Sequence, residues 1–311
     1  MVKKDFPYHL LSMQSLNRNQ INLILQRANT FLGSVKENRI FDILKGQVVA
    51  NLFFEASTRT RNSFEIATER LGAIILNPNL KASALNKGES ILDMVRNLQA
   101  MGTRFFIIRH TENNQPRVLA EQLEHSVVIN AGDGNHQHPT QGLIDLMTIQ
   151  QHKSNWTKLC VTIVGDIYYS RVANSLIDGL LIMGVPEIRL TGPPQLLPET
   201  IKSPRIKKFS ELEAGLINSD VVVILRLQKE RHSSLINLNT FRRLYSLTAE
   251  KLALVKPDAI IMHPGPVNRE IEMTSEVVDS KQSVILEQVQ NGVAVRMAIL
   301  ELLFLAAQDR T

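Results

Sequence analysis

Residues 55–61 read EASTRTR. Three hydroxyls (Ser57, Thr58, Thr60) and two guanidiniums (Arg59, Arg61) stand within five positions, with the single carboxylate of Glu55 ahead of them. An apolar run, QVVANLFF at 47–54, leads into the stretch. Behind it Phe64, Ala67, Thr68 and Leu71 recur at helical spacing, and Gly72 is placed to end that helix. A strand-to-helix turn presents free N–H groups and the positive end of the helix dipole, which favour an anion. Phosphate turns of this kind usually carry glycines that let bare backbone approach the ligand; this one offers side-chain donors instead. The dipole contributes roughly 0.3–1 kcal/mol, and each hydrogen bond to a charged partner roughly 1.5–3 kcal/mol. Arg59, joined by Arg109, would therefore outweigh the dipole. The competing reading is that Ser57 or Thr58 only caps the helix while Glu55 and the arginines form surface pairs.

Similar residues collect at other strand ends, where open α/β sheets bind their ligands. Arg109 and His110 end FFIIRH; Gln137, His138, Pro139, Thr140 and Gln141 follow SVVINAGDG. In the second half Arg171 follows VGDIYYS, Arg226 and Gln228 end VVVILRLQ, and His263, Pro264, Gly265 and Pro266 follow AIIM. Arginines at four such ends describe a site for small, multiply charged anions. Gly165 stands alone after its strand, with no G-x-G-x-x-G, which argues against a dinucleotide. HQH at 136–138 has metal-like spacing but lacks an acidic or cysteine partner set. His110 and His136 read as bystanders.

The elements that must position these residues are strands and helices in alternation. Continuous apolar runs at 47–54, 102–109, 124–130, 158–166, 187–192, 220–226 and 258–263 suit parallel strands covered on both faces. The fold class is α/β, with two domains, each a mostly parallel sheet flanked by helices and joined by linking helices. The expected boundaries are a first domain at 1–136, a linking helix at 137–152 and a second domain at 153–291, with a C-terminal helix at 292–311 packing back on the first. With 311 residues the chain is long enough for two domains, and 44% hydrophobic residues place it among globular proteins. Its net charge of +5 comes from scattered residues; SPRIKKF at 203–209 is the one local cluster, read as a solvated face. Four Tyr, one Trp and no arginine–aromatic interleaving give a nucleic-acid surface little support. The single cysteine, Cys160, cannot form an internal disulfide and reads as a buried strand residue, which fits a reducing, cytoplasmic setting. The N-terminus shows no signal peptide, and the apolar stretch 293–307, with Arg296 and Glu301, reads as a buried helix too short to span a bilayer.

In order along the chain, FFEASTRTRNSFE, SALNKGESILD, IIRH, NAGDGNHQHPTQGLIDL, VGDIYYSRVANSL, LRLQKER and MHPGPVNRE resemble the motifs of aspartate carbamoyltransferase catalytic chains, over nearly the full length. The sister ornithine carbamoyltransferases share the S-T-R-T turn, but typically carry lysine at the position of Glu55 and H-C-L-P where this chain has HPGP. An ornithine-like acceptor is the nearest alternative; a non-enzymatic basic binding module is a distant one.

The resemblance implies a carbamoyl-phosphate domain followed by an aspartate domain, transfer of a carbamoyl group to aspartate in pyrimidine synthesis, and no metal or organic cofactor. It implies that Ser57, Thr58, Arg59, Thr60 and Arg109 hold the phosphate. Arg59, Thr60 and His138 would polarise the carbamoyl carbonyl, while Gln141 and the carbonyls of Pro264 and Gly265 would hold its NH₂. Arg171, Arg226 and Gln228 would clamp the aspartate carboxylates. Ser83 and Lys87 would reach in from a neighbouring subunit of a homotrimer, Lys87 touching aspartate and taking part in catalysis. Glu55 would pair with Arg171 and Arg231 in domain closure. Regulatory or dihydroorotase chains are possible partners; nucleic acid and membrane are not expected. Two positions depart from common family patterns: Ala84 where a second serine is frequent, and Tyr168 where one branch has lysine.

Overall fold

The computed structural model describes residues 6–80, 88–227 and 237–308. Two compact units divide the chain: residues 1–144 with 290–311, and residues 145–289.

In unit 1, strands β1 (Val48–Phe53), β2 (Ile74–Leu76), β3 (Thr103–His110) and β4 (Val127–Asp133) form a sheet of order β2-β1-β3-β4. Every pairing is parallel. Helices α1 (Arg18–Lys36), α2 (Thr58–Arg70), α3 (Ile91–Ala100) and α4 (Gln115–Ala120) accompany it. The apolar spacing read after the opening motif is the buried face of α2: Phe64, Ala67, Thr68 and Leu71 are fully enclosed. Gly72, at φ +79°, ends that helix in the left-handed region. Helix α5 (Pro139–His152) carries the chain from unit 1 into unit 2.

In unit 2, β5 (Cys160–Val164), β6 (Glu187–Thr191), β7 (Ile206–Phe209), β8 (Val221–Ile224) and β9 (Ile260–Met262) form a second parallel sheet, ordered β7-β6-β5-β8-β9. With it come α6 (Arg171–Met183), α7 (Leu212–Leu216), α8 (Leu238–Tyr245), α9 (Ala249–Leu252) and α10 (Ser275–Val278). The stretch read as a solvated basic face contains strand β7. Lys207 and Lys208 are exposed there as expected, but Ile206 is buried and the backbone pairs with β6. Such an edge strand, charged outward, lacks the apolar run that betrays central strands. Strand β2 is apolar throughout but only three residues long, too short to stand out as a run.

Helix α11 (Ile285–Gln308) is longer than the apolar stretch in its middle and, by length and composition alone, could cross a bilayer. The apolar residues of its central part are core residues instead: Val295, Met297, Leu300 and Leu303 are fully buried. From Gln290 onward it belongs to unit 1. Arg27 of α1 donates to Glu301 (Nη2–Oε1 2.7 Å), and the enclosed Arg296 lies 4.8 Å from the Phe64 ring centroid. Burial lowers the Arg296 pKa to about 9. Cys160 opens β5 half-buried, and burial raises the pKa of its thiol, so it is a poor nucleophile.

Candidate active site

Each sheet reverses its winding at one place. In unit 1 the chain leaves β1 for β2 on one side and returns to β3 on the other; in unit 2 it leaves β5 for β6 and β7, then returns to β8. Crevices outside the carboxyl ends of such strand pairs are where parallel α/β sheets take ligands. Of the described residues singled out in the sequence, those after β1, β3, β5 and β8 fall at these two places, and those after β4 and β9 follow the neighbouring strands.

At the unit 1 switch, Phe53 pairs with Arg109, and the Phe54 amide donates to the Arg109 carbonyl at 2.9 Å. The EASTRTR turn therefore emerges beside the end of β3. Ser57 occupies the N-cap of α2, yet its side chain makes no capping hydrogen bond. That weakens the reading of this serine as a simple cap. Thr58 and Arg59 are exposed and Thr60 is buried on the first turn. Arg61 turns away from this group to pair with Glu65 one turn later, at 3.0 Å. Arg109 is held in place by Glu55 (Nε–Oε2 3.4 Å) and by the Ala131 carbonyl (Nη1–O 3.2 Å). Glu55 thus has a partner within its own unit.

Strand β4 adds the next segment. Asp133, at its end and almost wholly buried, accepts from the amides of Gln137 (2.9 Å) and Asn114 (2.7 Å), from Asn130 Nδ2 (2.9 Å), and faces His136 Nδ1 at 3.0 Å. These bonds fold residues 133–137 into a tight turn that delivers His138 to the start of α5. The His138 carbonyl accepts from the Gln141 amide at 2.9 Å, and Thr140 Oγ1 lies 3.4 Å from its Nδ1. His136 serves the turn rather than a ligand, and His110, with burial lowering its pKa, accepts the Glu112 amide at 3.0 Å. Among the described residues no group of three or more His, Cys, Asp or Glu side chains is placed to hold a metal.

At the unit 2 switch, Gly165 follows β5 at φ +118°, and a Cβ there would stand 3.2 Å from the Leu225 carbonyl. The glycine whose isolation argued against a dinucleotide permits β5 and β8 to approach beyond their last paired residues, with Leu225 N donating to Val164 O at 2.8 Å. Arg171 begins α6 behind a Ser170 cap (Ser170 Oγ accepting Ala173 N at 3.2 Å) and is buried. Arg226 leaves the end of β8, half-buried. The segment after β9 carries His263, Pro264 and Gly265, with a cis Gly265–Pro266 bond. Arg171, Arg226 and Pro264–Gly265 therefore follow three adjacent strands. Tyr168 is exposed, edge-on to Tyr169 at 4.7 Å. Ser83, Lys87, Gln228, Arg231 and the Ala84 departure lie outside the described residues.

Sequence reading passed over the buried carboxylates behind these segments. Asp133 was visible only as part of AGDG. Glu272 lies in NREIEM, which looks like solvent-facing charge, yet it is almost wholly enclosed.

The sequence model for the aspartate/ornithine carbamoyltransferase carbamoyl-P binding domain matches residues 8–151, and that for the Asp/Orn binding domain matches residues 157–303. The aspartate carbamoyltransferase catalytic subunit of Coxiella burnetii is 63% identical over 302 residues, covering 97% of both chains. A crystal structure of aspartate transcarbamoylase from Trypanosoma cruzi, in complex with carbamoyl aspartate and phosphate, aligns with a TM-score of 0.87 at 28% identity over 94% of each chain. Ornithine carbamoyltransferase from Thermus thermophilus, at 24% identity and a TM-score of 0.85 over 96% of this chain and 99% of that one, shares the fold. The chain belongs to the aspartate/ornithine carbamoyltransferase family.

Proposed function

We propose that this chain transfers the carbamoyl group of carbamoyl phosphate to the α-amine of L-aspartate, giving N-carbamoyl-L-aspartate and phosphate, a step of de novo pyrimidine biosynthesis. The choice of acceptor is carried by two guanidiniums that follow the neighbouring strands β5 and β8: Arg171 at the start of α6 and Arg226 just past β8. Aspartate brings two carboxylates to two arginines, whose planar forks suit bidentate pairing. Ornithine brings one carboxylate and a second ammonium, and a guanidinium opposite an ammonium is a repulsive contact that rejects it. The 63% identity to a protein named as an aspartate carbamoyltransferase catalytic subunit supports the same acceptor.

In this reading Ser57, Thr58, Arg59, Thr60 and Arg109 bind the phosphoryl oxygens, and Gln141, with the Pro264 and Gly265 carbonyls, accepts from the carbamoyl NH₂. Gln228 joins the aspartate clamp. The amine nitrogen attacks the carbamoyl carbon, the new C–N bond forms, and the C–O bond to phosphate breaks. Arg59, Thr60 and His138 donate to the carbonyl oxygen as it gains charge. No side chain in this set is a strong base, so the departing phosphate takes the amine proton. Holding two anionic substrates together against their repulsion supplies much of the rate.

The resemblance also supports a homotrimer in which Ser83 and Lys87 serve a neighbouring subunit's site, and a domain-closing role for Glu55 with Arg231. Lys87→Ala and Arg226→Ala chains should each be nearly inactive alone and regain activity when reassembled together; verified hybrids without recovery would sink the shared site. A cytoplasmic location completes the proposal, supported by the lone cysteine and checked by cell fractionation.

The acceptor assignment is tested by incubating purified chain with carbamoyl phosphate and equal concentrations of aspartate or ornithine. Carbamoyl-aspartate formation should exceed carbamoyl-ornithine formation by at least about 100-fold, the magnitude expected of about 2.7 kcal/mol of discrimination. Comparable products, or ornithine favoured, would overturn it.

A further inference from the structure

We infer that Glu272 is a positioning residue for the transfer, fixing the Arg226 strand end against the Pro264–Gly265 segment. The inference rests on the reaction proposed above. Its ground is a side chain with no exposure, seated behind the carboxyl ends of β8 and β9, which pair through Val223 and Met262. Glu272 Oε1 accepts from the Leu227 amide at 2.8 Å and from Asn268 Nδ2 at 2.7 Å. Oε2 accepts from the Asn268 amide at 2.9 Å and faces His263 Nε2 at 3.0 Å. His263 Nδ1 accepts the Gly265 amide at 2.7 Å, so the ring proton sits on Nε2 and donates to the carboxylate. His263 is itself sealed at zero side-chain exposure, and its amide donates to Gln288 Oε1 at 3.1 Å.

Asn268 supplies two of the four donors to Glu272, and the other two lead to segments the reaction uses. Leu227 directly follows Arg226. His263 precedes Pro264 and, through its other ring nitrogen, holds the Gly265 amide. A carboxylate offers two oxygens with acceptor capacity for all four donors, and no other side chain of that size does so without a proton of its own. An amide in its place must turn an NH₂ toward two of those donors.

Asp220 gives an internal contrast. It is a buried carboxylate of the same unit, accepting from the Cys160 amide at 2.8 Å and from Lys256 at 2.7 Å. It lies at the amino ends of β5 and β8, at the far edge of the sheet from Arg226. It holds structure without touching a substrate-binding segment.

The experiment compares Glu272→Gln with Asp220→Asn in the full chain, measuring thermal midpoint and steady-state constants for both substrates. Both variants should lose stability. Glu272→Gln alone should raise the aspartate KM at least fivefold and lower kcat, while Asp220→Asn stays within twofold of wild type in both. If Glu272→Gln fails to fold, Asn268→Ala, which removes one bond to Oε1, should show the same pattern with a smaller rise. An aspartate KM within twofold of wild type in the folded variant, or equal kinetic losses in Asp220→Asn, overturns the positioning role. Wild-type chain that makes no carbamoyl-aspartate would instead fail the proposed reaction, so the two failures separate.

Discussion

The two sheets solve the same problem with one device at different range. Behind the unit 1 switch, Asp133 gathers three N–H donors and an imidazole; behind the unit 2 switch, Glu272 gathers the same complement. Asp133 does so largely within its own turn, drawing on Asn130, His136 and Gln137, with Asn114 from the segment after β3. Glu272 must also reach Leu227, 45 residues earlier, and its histidine is sealed, whereas the His136 side chain is 38% exposed. A local carboxylate builds a turn as soon as the chain is made. A distant one can act only once two strand ends have been brought together, so it reports on tertiary assembly.

The largest effect that would sharpen this contrast is on the residue the Asp133 turn delivers. His138→Ala should lower kcat about 10²–10³-fold, as for loss of an oxyanion donor, with little change in the aspartate KM, measured by steady-state kinetics. Retained turnover with only weakened substrate affinity would break the assignment. Asp133→Asn should act in the same direction more weakly and destabilise the fold by about 1–3 kcal/mol, since donors around a buried acceptor lose their partner. Urea unfolding and kcat check it; unchanged kcat would leave Asp133 a purely structural counterpart to Glu272.

In unit 2 the matching lesion is Gly165→Ala. With φ +118° and the Leu225 carbonyl 3.2 Å from the added Cβ, the strain should cost about 1–3 kcal/mol. Because Leu225 adjoins Arg226, the aspartate KM should rise with it, and a stable variant with unchanged KM would break the link. The smallest effect is electrostatic. Burial holds the His110 pKa below its ordinary value of 6.5, so near and below that pH the unfolded chain binds the extra proton. Stability is then fully present above 6.5 and is lost as pH falls, with a slope of at most about 1.4 kcal/mol per pH unit. His110→Gln should flatten that part of the thermal-midpoint profile.

Much of this was legible in the sequence because its signals are local. The continuous runs of VVVILR and FFIIR mark central parallel strands, and the spacing of Phe64, Ala67, Thr68 and Leu71 marks the covered face of α2. Strand-end arginines stand out because charge directly after an apolar run has few structural explanations. Ile206–Phe209 was hidden because an edge strand carries outward lysines, like any exposed loop. A glycine after a strand has two uses, ligand approach and strand approach; the missing G-x-G-x-x-G spoke against the first at Gly165, and only tertiary contact shows the second. Glu272 was hidden more deeply: Arg269 and Glu270 beside it are exposed, and nothing in NREIEM says which carboxylate turns inward. The role proposed for Lys87 comes only from the family motif, since SALNKGES reads alone as a polar loop.

The central claim is a division of labour, with the phosphate end held at the unit 1 switch and the aspartate end at the unit 2 switch. The most direct measurement is a crossed titration of Arg109→Ala and Arg226→Ala against both substrates. Each arginine removed should cost roughly 1.5–3 kcal/mol of its own substrate's binding, about 10- to 150-fold in KM. Arg109→Ala should raise the carbamoyl phosphate KM by that factor while the aspartate KM moves far less, and Arg226→Ala should do the reverse. Equal shifts for both substrates in both variants would contradict the account.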